Sequence, residues 1–144
     1  MIAAVLDVNV IVSGFPARRG APAEVIDRWL TSEFRVIMSE HILNGVIRAW
    51  DNPWFRDRYA RNEADRALFL LRTRAVMISP ASGIRGVASD AEDDLVLATA
   101  VAGEVDYLVT GDRRFREVGQ YGSIAIMSPR EFVFVLDQAP RSVL

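Results

Sequence analysis

The sequence contains no cysteine and no lysine, and only one of its 144 residues is a histidine. The lack of cysteine excludes disulfides, thiolate nucleophiles and cysteine-ligated zinc. The lack of lysine excludes every mechanism that requires an ammonium group, since all 17 basic residues are arginine. The single histidine, His41, lies near the start of a predicted helix with no second candidate nearby. This position indicates a surface or packing role rather than a general base.

Long hydrophobic runs are also absent. No apolar run reaches the ~18 residues of a candidate membrane span, and no basic region precedes the first apolar stretch, as it does in a signal peptide. We therefore expect no membrane partner and a cytoplasmic location. The apolar fraction of 51%, the charged fraction of 25% and the length suit a single globular domain over residues 1–144. The net charge of −2 is uninformative about nucleic acid, because a carboxylate metal site hides acidic charge behind bound cations.

Predicted strands and helices alternate along the chain, which indicates an α/β domain with a largely parallel sheet of about five strands. The strands are expected in five apolar or β-prone runs, at residues 1–14, 34–38, 75–78, 106–110 and 123–127. The helices are expected at residues 23–31, after Ser39, as a pair within 54–74, at 92–102 and after Ser128. The last two helices are each preceded by a capping-box pattern, at residues 89–92 and 128–131.

Carboxylates cluster at the predicted ends of these elements. Asp7 ends the apolar part of the first strand, Asp112 follows the fourth strand, and Asp90, Asp93 and Asp94 lie at the start of the helix between. In a parallel sheet, the carboxyl ends of strands and the amino ends of the following helices share one edge, so these groups are expected to converge. Clustered carboxylates favour a hard divalent cation such as Mg²⁺ or Mn²⁺. Such ions activate water and stabilise the leaving oxygen in phosphodiester cleavage.

Structural explanations for the same carboxylates stay open at this point. An aspartate in the first turn of a helix commonly complements the helix dipole, and one after glycine commonly forms a turn. These readings apply to Asp90, Asp94 and Asp112. They are weaker for Asp7, which would be a costly buried charge without a partner, and for Asp93, which begins the buried face of its helix.

Three motifs resemble those of PIN-domain ribonucleases. Residues 6–13, Leu-Asp-Val-Asn-Val-Ile-Val-Ser, resemble the opening motif of that family. Residues 90–100, Asp-Ala-Glu-Asp-Asp-Leu-Val-Leu-Ala-Thr-Ala, and residues 106–112, Asp-Tyr-Leu-Val-Thr-Gly-Asp, resemble its third and fourth motifs. Together with Ser-Pro-Arg-Glu-Phe at 128–132, they are similar to bacterial toxins of VapC-type toxin–antitoxin pairs. The resemblance covers most of the chain.

The resemblance implies a three-layer α/β/α sandwich and Mg²⁺- or Mn²⁺-dependent cleavage of RNA. It carries Asp7, Asp93 and Asp112 over as catalytic metal ligands, with Asp94 as a weaker metal candidate. It assigns Asn9 and Thr110 to orienting the ligands. It also implies an antitoxin protein as a partner and a homodimer.

One position departs from the family pattern. PIN nucleases usually carry a further acid, most often Glu, six residues after the Ser that starts the helix following the second strand. Counting from Ser39 reaches Gly45, while Asn44 is neutral and Glu40 is a first-turn charge that suits the helix dipole. Two outcomes stay open: three acids hold one ion and support cleavage, or the chain is a weakened or inactive PIN-fold module that binds a protein partner or RNA.

The arginines after the last motif are the expected contacts with the RNA backbone. Arg113, Arg114 and Arg116 directly follow Asp112, and guanidinium groups favour bidentate phosphate contacts. A solvated surface is the alternative. Rival folds with an aspartate after the first strand, the response-regulator receiver and the haloacid-dehalogenase-like phosphatase, depend on a lysine that this chain lacks.

Overall fold

The computed structural model describes residues 1–140, which form six strands and eight helices. The strands are β1 (Ala3–Leu6), β2 (Arg35–Met38), β3 (Val76–Met77), β4 (Tyr107–Val109), β5 (Gln120–Tyr121) and β6 (Ile124–Met127). The helices are α1 (Val8–Gly14), α2 (Ala21–Leu30), α3 (Glu40–Trp50), α4 (Pro53–Arg56), α5 (Arg61–Arg74), α6 (Ala91–Ala102), α7 (Arg113–Arg116) and α8 (Pro129–Gln138).

The strands form one sheet in the order β3-β2-β1-β4-β6-β5. All neighbouring pairs are parallel except β5 and β6, which form an antiparallel hairpin at one edge. Helix α6 packs against β1, β2 and β4, and α2 packs against α1 and α8. The predicted α/β sandwich with a largely parallel sheet is therefore confirmed, with one strand more than the five expected.

The central strands are buried on both faces. Every residue of β1 is buried, as are the last three residues of β2. Such strands have no polar face, so polar side chains occur where they end. Strand β1 lies between β2 and β4, which places its carboxyl end at the middle of the sheet edge.

The first strand is much shorter than predicted. The apolar run at residues 1–14 divides into β1 and the helix α1, and Asp7 is the N-cap between them. The Asp7 carboxylate accepts a hydrogen bond from the Val8 amide at 2.8 Å. The backbone carbonyl of Asp7 accepts one from the Val10 amide at 3.0 Å. The β-branched residues after Asp7 favour a strand by propensity, but burial of Val10, Ile11 and Val12 decides the outcome.

The predicted helix caps are partly confirmed. Ser39 caps α3, and Ser128 with Glu131 forms the expected capping box of α8. The capping box predicted at residues 89–92 is wrong, because Asp90 is the N-cap of α6 and accepts a hydrogen bond from the Asp93 amide at 2.8 Å. The side chain of Glu92 is thereby left for other contacts, described below.

No helix within residues 1–140 is long and apolar enough to cross a membrane.

Candidate functional site

Asp7 lies at the centre of the candidate site. In the register of the sheet, Leu6 pairs with Val109, so the residues that end the two strands, Asp7 and Thr110, are side by side. The Asp7 amide donates to the Val109 carbonyl at 2.9 Å, which continues the strand pairing up to the carboxylate. The Asp7 side chain is only 5% exposed. The fold thus buries a carboxylate at the middle of the sheet edge.

Two polar side chains orient this carboxylate. The Thr110 hydroxyl donates to Asp7 Oδ2 at 2.7 Å, and Asn9 Nδ2 donates to the same oxygen at 3.3 Å. Asn9 is itself fixed, because its Oδ1 accepts a hydrogen bond from the Gly111 amide at 2.8 Å. Burial raises the pKa of Asp7 and the charge of Asp112 adds to the rise, while the bonds from Thr110, Val8 and Asn9 oppose it.

Asp112 is held beside this network by the turn that follows β4. Its amide donates to Thr110 Oγ1 at 3.0 Å, and its Oδ1 accepts a hydrogen bond from the Arg114 amide at 2.9 Å as the N-cap of α7. One threonine hydroxyl therefore connects the two acidic residues: it donates to the Asp7 carboxylate and accepts from the Asp112 backbone.

The Asp93 carboxylate is partly buried, lacks a hydrogen-bond partner and lies near other acids. Its Oδ2 is buried and has no hydrogen-bond partner among the described residues. Burial and then the negative charges of Asp7, Asp90 and Asp112 raise the pKa of Asp93 to about 7. A buried, unpaired carboxylate oxygen among like charges is unfavourable. A bound cation would relieve both problems.

The carboxylate oxygens at this edge are suitable ligands for a hard divalent cation, although the side chains do not form a preorganised coordination site. Among residues 1–140, no group of three or more Asp, Glu, His or Cys side chains already surrounds a point at ligand distance. The negative charges of Asp7 and Asp112 nevertheless both raise the pKa of Asp93, and that of Asp112 raises the pKa of Asp7, so these carboxylates lie near one another. Oxygen ligands of this type suit Mg²⁺ or Mn²⁺, both of which keep several waters and therefore need few protein ligands.

Asp94, the weaker metal candidate, has other partners. Its Oδ2 accepts a hydrogen bond from the Gly86 amide at 2.8 Å, and its Oδ1 accepts bonds from the Val87 and Ala88 amides at 3.2 and 2.8 Å. These bonds, led by that from Ala88, lower the pKa of Asp94. The Asp94 carboxylate fastens the loop before α6, and we do not include it among the proposed metal ligands.

Gly45 stands where the family pattern places a fourth acid, and the structure gives a packing reason for the glycine. A Cβ at this position would lie 2.8 Å from Cγ2 of Val8, the first residue of α1. A β-branched side chain in a helix has little freedom to move aside. Helices α1 and α3 therefore approach so closely here that Val8 crowds the Cβ of any other residue at position 45.

A cleft of about 410 Å³ opens beside the acids. Asp7 and Asp93 line it, together with His41, Gly45 and Arg48 of α3. The α3 residues are spaced i, i+4 and i+7, which places them on one face of the helix. This spacing was the signal in the sequence that places His41 and Arg48 on the same face of α3, beside the acids. No role at the site was predicted for Arg48, and the surface or packing role of His41 stays a prediction.

The arginines predicted to contact RNA follow Asp112 in the chain and are not among the residues that line this cleft. Arg113 and Arg114 are exposed in the short helix α7. Arg116 is engaged with the protein, since its Nη1 donates to the Thr110 carbonyl at 3.2 Å. A second, smaller groove of about 240 Å³ adjoins Asn9, Gly111 and Asp112.

Comparisons with known proteins agree with this fold. A family model described as "PIN domain" matches residues 3–114, well over half of the chain. A solved chain of VapBC2 from Rickettsia felis, in a crystal structure of that complex bound to a DNA fragment from its promoter, has a TM-score of 0.61 at 14% sequence identity. The alignment covers 88% of this chain and 98% of that chain, and it concerns the fold alone. A sequence comparison with curated proteins gives no match.

Proposed function

This chain belongs to the PIN-domain family, and we propose that it is a Mg²⁺- or Mn²⁺-dependent endoribonuclease that cleaves RNA phosphodiester bonds. PIN domains are generally nucleases and typically use divalent metal ions. The choice of RNA as substrate and of these two ions is our inference from the motifs and from the chemistry of the acids.

The observation that carries the proposal is the buried, unpartnered Oδ2 of Asp93 beside Asp7 and Asp112. A purely structural carboxylate at a helix start would bond to backbone amides, as Asp94 does. Asp93 instead faces other acids at the edge of the sheet where α/β proteins bind ligands. Such an arrangement is costly to folding and is expected where a function needs it.

Each side chain has a distinct task in this proposal. Asp7, Asp93 and Asp112 would hold the ion, directly or through water, and Thr110 and Asn9 keep the Asp7 carboxylate oriented. A bound divalent ion supplies an activated water and charge stabilisation of the leaving oxygen. Arg113 and Arg114 are proposed to contact the RNA backbone from the side of Asp112.

We further propose that the protein acts as the toxin of a toxin–antitoxin pair, forms a homodimer and works in the cytoplasm. The support is the likeness in fold to a chain of the VapBC2 complex together with the spacing of the motifs. Co-expression with the protein encoded beside it tests the antitoxin partner by co-purification. Light scattering of the purified chain tests the dimer through its mass.

The nuclease proposal is tested by incubating single-stranded and structured RNA with the protein in Mn²⁺, in Mg²⁺ and in EDTA. Wild-type protein is expected to cleave with either ion and to be inactive in EDTA. The matched control is Asp7→Asn, which keeps the shape of the side chain but removes its charge. Equal RNA cleavage by the wild type and by Asp7→Asn in Mn²⁺ would refute the proposed enzyme function.

A second candidate function follows from Gly45. Because Val8 crowds the position of the missing acid, the chain could be a PIN-fold module that binds a protein partner or RNA without cleaving it. That function predicts folded protein, little stabilisation by Mn²⁺ and no cleavage product. Binding of a protein partner or of RNA by a wild-type chain that gives no cleavage product would favour this function over the nuclease.

A further inference from the structure

Glu92 links the two basic residues of the cleft on its α3 side. The ring nitrogen Nε2 of His41 lies 3.2 Å from both the backbone carbonyl and Oε2 of Glu92. Nη2 of Arg48 lies 4.0 Å from the same Oε2. Glu92 directly precedes Asp93, so this cluster is continuous with the acids of the proposed metal site.

The pairing of Arg48 with Glu92 is loose. The distance is at the limit for an ion pair, and the two side chains are 65% and 69% exposed. Exposed pairs of this kind contribute little to stability, because water screens both charges. The guanidinium of Arg48 is therefore available to an anion that binds it in a better geometry.

A phosphate is such an anion. It accepts two parallel hydrogen bonds from a guanidinium, and these charge-assisted bonds are stronger than a single long contact with a carboxylate. Arg48 is the one arginine that lines the cleft within the described residues, and it shares that lining with Asp7 and Asp93. An RNA strand whose scissile phosphate lies over the acids would pass along this wall.

We propose that Arg48 binds a backbone phosphate of the RNA strand in this cleft and that Glu92 occupies the guanidinium only until the strand arrives. This inference rests on the proposed function, and it assigns an RNA contact on helix α3 in addition to Arg113 and Arg114. His41 contacts both the side chain and the backbone carbonyl of Glu92. The cleft thus combines an anion contact with its acids.

Binding is measured by fluorescence anisotropy with a labelled single-stranded RNA oligonucleotide, in the Asp7→Asn background and without added metal, so that neither cleavage nor metal binding enters the comparison. Arg48→Gln is expected to weaken binding about tenfold and to lower the slope of log K against log salt by about 0.7, the value for one phosphate contact on a single strand. Arg48→Lys should bind with intermediate affinity, because it keeps the charge but loses the bidentate geometry.

The matched control is Arg66→Gln, which removes the same charge from an exposed position of α5. It is expected to leave affinity within about twofold and the salt slope unchanged. Equal affinity and salt slope for Arg48→Gln and Arg66→Gln would overturn the proposal, as would a parent protein that binds no RNA. Thermal melting of each variant checks that both remain folded.

Cleavage by proteins with an intact Asp7 separates this inference from the nuclease proposal. If RNA binding depends on Arg48 but wild-type protein does not cleave, the nuclease proposal is wrong and the proposed phosphate contact of Arg48 is supported. If wild-type protein cleaves and Arg48→Gln cleaves with an unchanged KM, the proposed contact is wrong and the nuclease proposal is supported.

Discussion

The hydroxyl of Thr110 donates a 2.7 Å hydrogen bond to Oδ2 of Asp7, joining the ends of two neighbouring parallel strands. Both side chains are buried. This bond fixes the orientation of the acid at the centre of the proposed metal site.

Replacing Thr110 by Val keeps the shape of the side chain and removes this bond. Outer groups that orient metal ligands typically contribute a factor of about 10–100 in affinity or activity. We expect Thr110→Val to lose about that factor in Mn²⁺-dependent cleavage, measured as the initial rate on RNA. Thr110→Ser, which keeps the hydroxyl, should retain most of the activity. Equal losses in both variants would assign the effect to packing.

Asp93→Asn is expected to stabilise the metal-free protein at neutral pH. The pKa of Asp93 in the folded protein is about 7, raised from an ordinary value of 3.8, so its charged form disfavours folding. Asp93 therefore contributes a loss of stability as pH rises from about 4 to about 7, and this contribution is absent from Asp93→Asn. Since Asp93 is partly exposed, we expect Asp93→Asn to raise the free energy of unfolding at neutral pH by only about 1 kcal/mol, or the Tm by about 3 °C.

Thermal melting in EDTA at pH 4 and at pH 7.5 measures this effect. The advantage of Asp93→Asn should be present at pH 7.5 and vanish at pH 4. Added Mn²⁺ should raise the Tm of the wild type and not that of the variant. A variant that is less stable at pH 7.5 in EDTA would show that the Asp93 charge is not strained by its neighbours.

Gly45→Ala is expected to destabilise the protein even though alanine favours helices. The new Cβ would overlap Val8, and overpacking costs about 1–3 kcal/mol, more than the ~0.5–1 kcal/mol gained from helix propensity. We expect a net loss of about 1 kcal/mol in urea unfolding. The double variant Val8→Ala with Gly45→Ala should recover stability relative to the sum of the single changes. Strictly additive effects would contradict the contact.

Asp94→Ala should destabilise the loop before α6 without a specific effect on metal binding. Its carboxylate accepts amide bonds from Gly86, Val87 and Ala88, and loss of bonds to a charged group costs about 2 kcal/mol. Because the folded pKa of Asp94 is lowered, its contribution is present above pH 3.8 and is lost as pH falls through the folded value. Hydrogen exchange at the three amides should accelerate while Mn²⁺ affinity stays unchanged. A parallel loss of Mn²⁺ affinity would restore Asp94 as a ligand.

The class of fold and the meeting of distant acids were predictable because they follow from local patterns. Alternating elements imply parallel strands, and parallel strands bring residues such as Asp7 and Asp112 to one edge. The capping box at Ser128 depends only on neighbours along the chain and was predicted as it occurs.

Features that depend on contacts between residues distant in the sequence were not predicted correctly. Helix α1 has strand-like residues and is helical because burial and the Asp7 cap outweigh propensity. The hairpin of β5 and β6 turns at Gly122, which has a φ of 58°, and the Gly-Ser pair at that point was a signal that went unused. The partners of Asp94 depend on a loop folding back, which no spacing in the sequence reveals.

We propose that Asp7, Asp93 and Asp112 hold a divalent ion. The decisive experiment titrates the protein with Mn²⁺ and records the electron paramagnetic resonance signal of the unbound ion. The wild-type chain is expected to bind Mn²⁺, and each of Asp7→Asn, Asp93→Asn and Asp112→Asn should weaken binding by at least about tenfold. Asp27→Asn, at an exposed position of helix α2, is the matched control and should bind as the wild type does. Equal Mn²⁺ affinity in the wild type and in all three site variants would contradict the account.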